Sequence, residues 1–150
     1  GDHVIAEWPT YAPLYEIPRT LGAEVEYWEL REELGWRPDI EELKRLVRPN
    51  TKLICINNAS NPIGTVLDAD TLGQIAEIAR SVGAYVLCDE VYLPLENTED
   101  FMSMADVYEK AIVTNSVSKT YSTPAARVGW VLADEEISNP RNRDLGGLFK

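Results

Sequence analysis

Three polar strings, each placed directly after a short apolar run, collect side chains suited to chemistry. Leu53-Ile54-Cys55-Ile56 is followed by Asn57-Asn58-Ala59-Ser60-Asn61-Pro62-Ile63-Gly64, the run Ala84 to Cys88 by Asp89-Glu90-Val91-Tyr92, and Ile112 to Thr114 by Asn115-Ser116-Val117-Ser118-Lys119. Arg127 stands a few positions beyond. In open α/β sheets ligands bind outside the carboxyl ends of the strands, so an amide, a carboxylate and an amine from distant parts of the chain would gather at one edge. An uncharged lysine, favoured by nearby cations and a dry cleft, is a nucleophile. A guanidinium helped by hydroxyls can grip a dianion. His3 is the only histidine, which leaves imidazole acid/base chemistry, zinc sites and Ser-His-Asp triads almost nothing to work with. Any chemistry must run on Lys, Asp, Tyr, Asn or Arg, and no metal is expected.

The elements that would position these residues are legible from periodicity. Short β-branched runs alternate with helical patterns, the signature of βαβ units and a mostly parallel sheet. Strands are predicted at Val4 to Glu7, Val25 to Leu30, Leu53 to Asn57, Ala84 to Cys88, Ile112 to Thr114 and Val128 to Ala133. One helix starts at an Asp39 cap, carries Ile40, Leu43, Leu46 and Val47, and stops before Pro49. A second is capped by Asp68 or Asp70, buries Leu72, Ile75, Ala76, Ala79 and Val82, and ends at Gly83. A third lies near Leu14 to Leu21, closed by Gly22. The runs at Leu53 and Ala84 are apolar on both faces and should be central. The stretch from Asn115 to Arg127 is too short for a crossover helix, so the last strand is expected to run antiparallel. The fold class is therefore α/β, a three-layer α/β/α arrangement with one antiparallel strand. The tail from Ser138 to Lys150 reads as irregular.

Composition narrows the partners. Across 150 residues, 14 Lys plus Arg against 25 Asp plus Glu give a formal charge of −11, which argues against nucleic acid. No apolar run is long enough to span a membrane, and no secretory leader opens the chain, so a cytoplasmic location is the default. Cys55 and Cys88 each sit inside an apolar run and read as reduced core thiols. The chain opens at Gly1 without an initiator methionine and enters a strand at once, as a piece of something longer would.

Asn61-Pro62-Ile63-Gly64, Asp89-Glu90-Val91-Tyr92, and Ser116-Val117-Ser118-Lys119 followed by Arg127-Val128-Gly129-Trp130 resemble, in order and spacing, the successive signatures of the class I/II aminotransferases. These are pyridoxal 5'-phosphate (PLP) enzymes of fold type I. Trp8-Pro9-Thr10-Tyr11 also resembles the stretch leading to the family's ring-stacking aromatic. Taken singly, each string has a plain reading: a turn, a helix cap, a surface lysine, an arginine paired with one of many carboxylates. Their joint order at successive strand ends favours the family.

The resemblance implies roles. Lys119 would form the Schiff base and act as general base in proton transfer. Asp89 would partner the pyridine nitrogen, which must stay protonated for the ring to draw electrons. Asn61 and Tyr92 would bond the ring's phenolic oxygen, and Tyr11 would lie flat on the ring. Arg127, Ser116 and Ser118 would hold the phosphate. Glu90, alternating with Asp89 along the strand, would point away and serve structure. The reaction implied is amino-group transfer between an amino acid and a 2-oxo acid by a homodimer with shared active sites.

The same resemblance makes residues 1–150 the middle of the large cofactor-binding domain, without the small domain, the phosphate-cradling loop or the arginine that grips the substrate carboxylate. Such a piece alone would not turn over. Ile63 replaces a common threonine, and Ala125-Ala126 stand where members often carry glycine, so the loop to Arg127 is expected to be tighter or shifted. Three alternatives stay open. Elimination, cyclisation or oxidation is possible on the same cofactor, since Ser118 to Ser122 with Pro124 resembles arginine-modifying members. A non-catalytic α/β binding domain is the second. A nicotinamide-binding domain is third, disfavoured because no G-x-G-x-x-G follows a strand.

Overall fold

The computed structural model describes residues 1–93 and 101–138. The predicted strands form at His3–Trp8 (β1), Glu24–Glu29 (β2), Thr51–Asn57 (β3), Tyr85–Asp89 (β4), Ala111–Ser116 (β5) and Gly129–Ala133 (β6). They make one sheet in the order β2-β1-β3-β4-β5-β6. The first five are parallel and β6 runs antiparallel to β5, as the short connection requires. The predicted irregular tail lies outside the described residues apart from Ser138, which ends a single helical turn, Glu135–Ser138.

Helices form where cap chemistry and apolar spacing agree. Helix α2, Ile40–Leu46, begins where the Asp39 carboxylate accepts from the Glu41 and Glu42 amides. Helix α3, Ala69–Val82, begins at Asp68, whose Oδ1 accepts from the Thr71 amide at 2.8 Å, so Asp68 rather than Asp70 is the cap. Gly83 ends α3 at φ 72, a left-handed conformation that costs a residue with Cβ roughly 1–2 kcal/mol. Helix α1 spans Pro13–Thr20.

Strand alternation sorts the core into two faces. Ile5, Ile54, Ile56, Val86, Cys88 and Val113 pack with Leu43 of α2 and Leu72, Ile75, Ala76 and Ala79 of α3. Val4, Ala6 and Cys55 pack with Leu14 of α1 on the other. Fully burying side chains such as Leu72 and Ile75 stabilises the fold by about 1.5–3 kcal/mol each. Cys55 and Cys88 are buried and unbridged, on opposite faces, and burial pushes the Cys55 thiol up to about 12. His3 is fully buried near the amino ends of the strands, bonded to Thr51 Oγ1 and Glu26. It is remote in the topology from the carboxyl ends.

One buried acid sits inside this frame. Glu7, 1% exposed, accepts the Asn57 amide at 2.9 Å, and burial raises its pKa from 4.5 to about 7 despite that bond. The folded state therefore holds the proton over a range where the unfolded chain has released it. Stability from this group is complete below about 4.5 and is lost as pH rises through about 7. Glu7→Gln keeps an acceptor but removes the titration. In urea denaturation, wild-type stability should fall relative to the variant by on the order of 3 kcal/mol across that window. Parallel profiles would rule this out.

Candidate functional site

The parallel register brings the ends of β3 and β4 level, pairing Asn57 with Asp89, and sets Asp89 beside Thr114, two residues before β5 ends. At these carboxyl ends lies a cavity of about 410 Å³, in the range of small-ligand sites. Tyr11, Asn61, Asp89, Tyr92, Ser116, Ser118, Lys119 and Arg127 all line it. Every candidate named from the sequence is therefore brought to one place, although they come from four separate stretches of the chain.

Each side chain is delivered by a local device. Asp89 ends β4 half-buried, its Oδ1 accepting the Val91 amide at 3.1 Å. Burial raises its pKa, and the bonds from Val91 and the Thr114 hydroxyl only partly offset this. A cationic partner would complete the compensation. Glu90 turns the other way: buried, it accepts the Met104 amide at 2.8 Å and the Ser103 hydroxyl at 3.1 Å. Its structural reading agrees with this placement.

Beyond β5, Ser116 caps a single helical turn, Val117–Thr120 (α4), which carries Ser118 and Lys119. The Lys119 ammonium lies 5.3 Å from the Tyr92 ring centroid, a cation–π contact. Lys119 is exposed, so these residues alone do not supply the dry cleft that an uncharged lysine calls for. Residues 124–126 form a 3₁₀ turn, and the left-handed conformation falls on Arg127 itself at φ 51. With Ala125-Ala126 in place of glycine, the turn aims Arg127 at the cavity through its own backbone. Gly129 sits in a tight place next: a Cβ there would stand 3.0 Å from the Asn115 carbonyl oxygen. Gly64, at φ 85, closes the Asn61-Pro62-Ile63 turn with its amide on the Ser60 carbonyl at 2.7 Å. Ile63 leaves that backbone geometry intact.

Charge pairing separates the site from an ordinary surface. Among the described residues, Arg19, Arg31, Arg37, Arg45, Arg48 and Arg80 each meet a carboxylate. Arg127 does not. Its Nη1 donates to the Pro124 carbonyl at 2.9 Å. In a chain with 25 acidic residues against 14 basic ones, a cavity arginine paired with no described carboxylate is suited to an anionic ligand.

Sequence reasoning passed over other lining residues, Asn57, Val91, Thr114, Asn115 and Pro124 among them. Asn57 is the most consequential. Its Nδ2 donates to the Asp89 carbonyl and its Oδ1 accepts the Asn61 amide, both at 2.7 Å. The available signal was its position as the first polar residue after the β3 apolar run, the rank Asp89 holds after β4.

Known proteins share this frame. An aspartate aminotransferase of Pyrococcus horikoshii is 33% identical over 139 residues, covering 91% of this chain and 36% of its own length. A tyrosine aminotransferase of Dictyostelium discoideum is 33% identical, covering 99% and 37%. The crystal structure of a PLP-dependent aminotransferase from Streptococcus suis superposes with a TM-score of 0.89 at 51% identity, covering 99% of this chain and 40% of that one. The chain thus spans little more than a third of the curated relatives' length. The sequence pattern of one family, described as aminotransferase class I and II, matches residues 1–143, a span that includes every strand of the sheet and every residue lining the cavity. The chain belongs to that family.

Proposed function

We propose that the protein carrying this chain is a PLP-dependent aminotransferase, moving an amino group between an amino acid and a 2-oxo acid. Residues 1–150 would form part of its cofactor-binding domain. The observation that carries the reading is the convergence of Asp89, Lys119 and Arg127 on one cavity, with Arg127 unpaired by any described carboxylate. The donor set suits the group: an acid for a ring nitrogen, an amine for an aldehyde, and a guanidinium with two hydroxyls for a phosphate. When bound, PLP supplies a reactive carbonyl and an electron-withdrawing ring.

The chain's own residues would divide the work. Arg127 would meet the phosphate with a bidentate fork, and the Ser116 and Ser118 hydroxyls would donate to its oxygens. Asp89 would hold a proton on the ring nitrogen, gaining the cationic partner that its burial calls for. Asn61 and Tyr92 would bond the phenolic oxygen, while Tyr11 would stack on the ring face. Lys119 Nζ would condense with the carbonyl, whose oxygen would leave as water, and, when free, carry a proton to and from the substrate.

Relatives named as aspartate and tyrosine aminotransferases favour transfer over elimination, cyclisation or oxidation. By family likeness alone, the same reading extends to a cytoplasmic homodimer.

With PLP added, the complete protein should show a visible band shifted from that of the free cofactor, lost in Lys119→Ala. Absence of a band in the wild type would overturn the proposal. Assayed on a panel of amino acids with 2-oxoglutarate, the protein should form glutamate. Ammonia or pyruvate without glutamate would assign it to lyase chemistry instead. Arg127→Ala should weaken PLP binding by about 10- to 100-fold, the loss of charge-assisted bonds to phosphate. Its affinity for pyridoxal, which lacks the phosphate, should stay nearly unchanged. Equal losses for both ligands would remove Arg127 from the phosphate site.

A further inference from the structure

We propose that Asn57 is a positioning residue that sets the spacing between Asn61 and Asp89 across the end of the sheet, and that the buried Glu7 carboxylate holds Asn57 in place. The inference rests on the PLP reading given above and deepens it.

Asn57 is 1% exposed and lines the cavity. Its amide is used at both ends. Nδ2 donates to the Asp89 carbonyl on β4, and Oδ1 accepts the Asn61 amide in the loop that follows β3, each at 2.7 Å. Its backbone amide donates to Glu7 Oε2 at 2.9 Å on the neighbouring strand β1. One residue thus connects three segments at the last rung of the β3–β4 ladder, where Asn57 pairs with Asp89. The Asn58 amide reinforces the same point, reaching the Asp89 carbonyl at 2.9 Å.

This connection matters because the proposed ligand is rigid. Asn61 would bond the ring's oxygen and Asp89 its nitrogen, and the ring fixes the distance between those two atoms. The protein must hold its two contact groups at a matching distance before binding, or lose affinity in ordering them. Asn61 lies in a loop beyond the ladder, where no strand pairing holds it. The bond from its amide to Asn57 Oδ1 attaches that loop to the sheet. An orienting group of this kind acts through the residues it holds.

Substitutions separate the two arms. Asn57→Leu removes both. Asn57→Asp keeps an acceptor for the Asn61 amide but sets an oxygen against the Asp89 carbonyl in place of a donor. In the cofactor-free complete protein, hydrogen exchange at the Asn61 amide should be slow in the wild type and in Asn57→Asp, and at least tenfold faster in Asn57→Leu. With PLP, both variants should bind about tenfold more weakly, the cost of one or two hydrogen bonds. The pH midpoint of the bound chromophore should also move, a change that a merely structural role would not produce.

A wild type that shows no cofactor band overturns the PLP reading, whereas the exchange measurement still tests the bond between Asn57 and Asn61. A wild type that binds, with variants of unchanged affinity and midpoint, overturns the positioning role. Should Asn57→Leu fail to fold, Asn57→Asp carries the test, because normal binding and midpoint in that variant refute the Asp89 arm. A wild-type Asn61 amide that exchanges as fast as an open loop refutes the other arm without any variant.

Discussion

The shared register of three parallel strands underlies the rest of the structure. Backbone hydrogen bonds pair Asn57 with Asp89 and Asp89 with Thr114, so β3 and β4 end at the same height and β5 runs two residues further, to Ser116. Parallel pairing then places the first polar residue of each strand's exit on one edge, where the loops carry Asn61, Tyr92 and Lys119. A one-residue slip of β4 would send Asp89 to the face where Glu90 now bonds Met104 and Ser103. The apolar alternation of Ile54 and Ile56 beside Val86 and Cys88 prevents that slip, because it would expose the core face against α3.

On this frame, charge is distributed unevenly. The chain is strongly acidic, and six described arginines pair with carboxylates around the periphery. Exposed pairs of this kind contribute little to stability, because water screens them. At the cavity the pattern changes: Arg127 bonds a carbonyl, Lys119 rests over Tyr92, and Asp89 is half-buried with its acidity reduced. A half-buried carboxylate of shifted acidity beside two cations in one cavity is the usual mark of a candidate ligand site rather than of a stabilising network. Glu7 differs again, since its buried carboxylate serves the backbone of β3 and faces no ligand. Folding tolerates that cost because the Asn57 amide gains an acceptor where the ladder ends.

Much of this was legible in order along the chain. The Asp39 cap, a cap at Asp68 or Asp70, the stop at Gly83 and the stripe of Leu72, Ile75, Ala76 and Ala79 are local signals, and local backbone chemistry obeyed them, with the second cap falling on Asp68. The antiparallel sense of β6 followed from chain length alone, since no crossover fits between Ser116 and Gly129. Tyr11, Asn61, Asp89, Tyr92, Ser116, Ser118, Lys119 and Arg127 are legible as cavity residues because each falls at a strand exit or within a motif of the family.

What stayed hidden depends on contacts between segments far apart in sequence. Nothing near Glu7 announces that its carboxylate will meet the Asn57 amide, and nothing near Asn57 tells that its amide will connect Asn61 to Asp89. The left-handed turn at Arg127 was likewise open, because alanines before it allow several paths. Periodicity and motif order are properties of neighbours, so the residues themselves determined the strands and the helices and marked eight of the side chains that line the cavity. Strand register, buried partners and the pairing of charges require the chain to return on itself, and only the tertiary structure decided them.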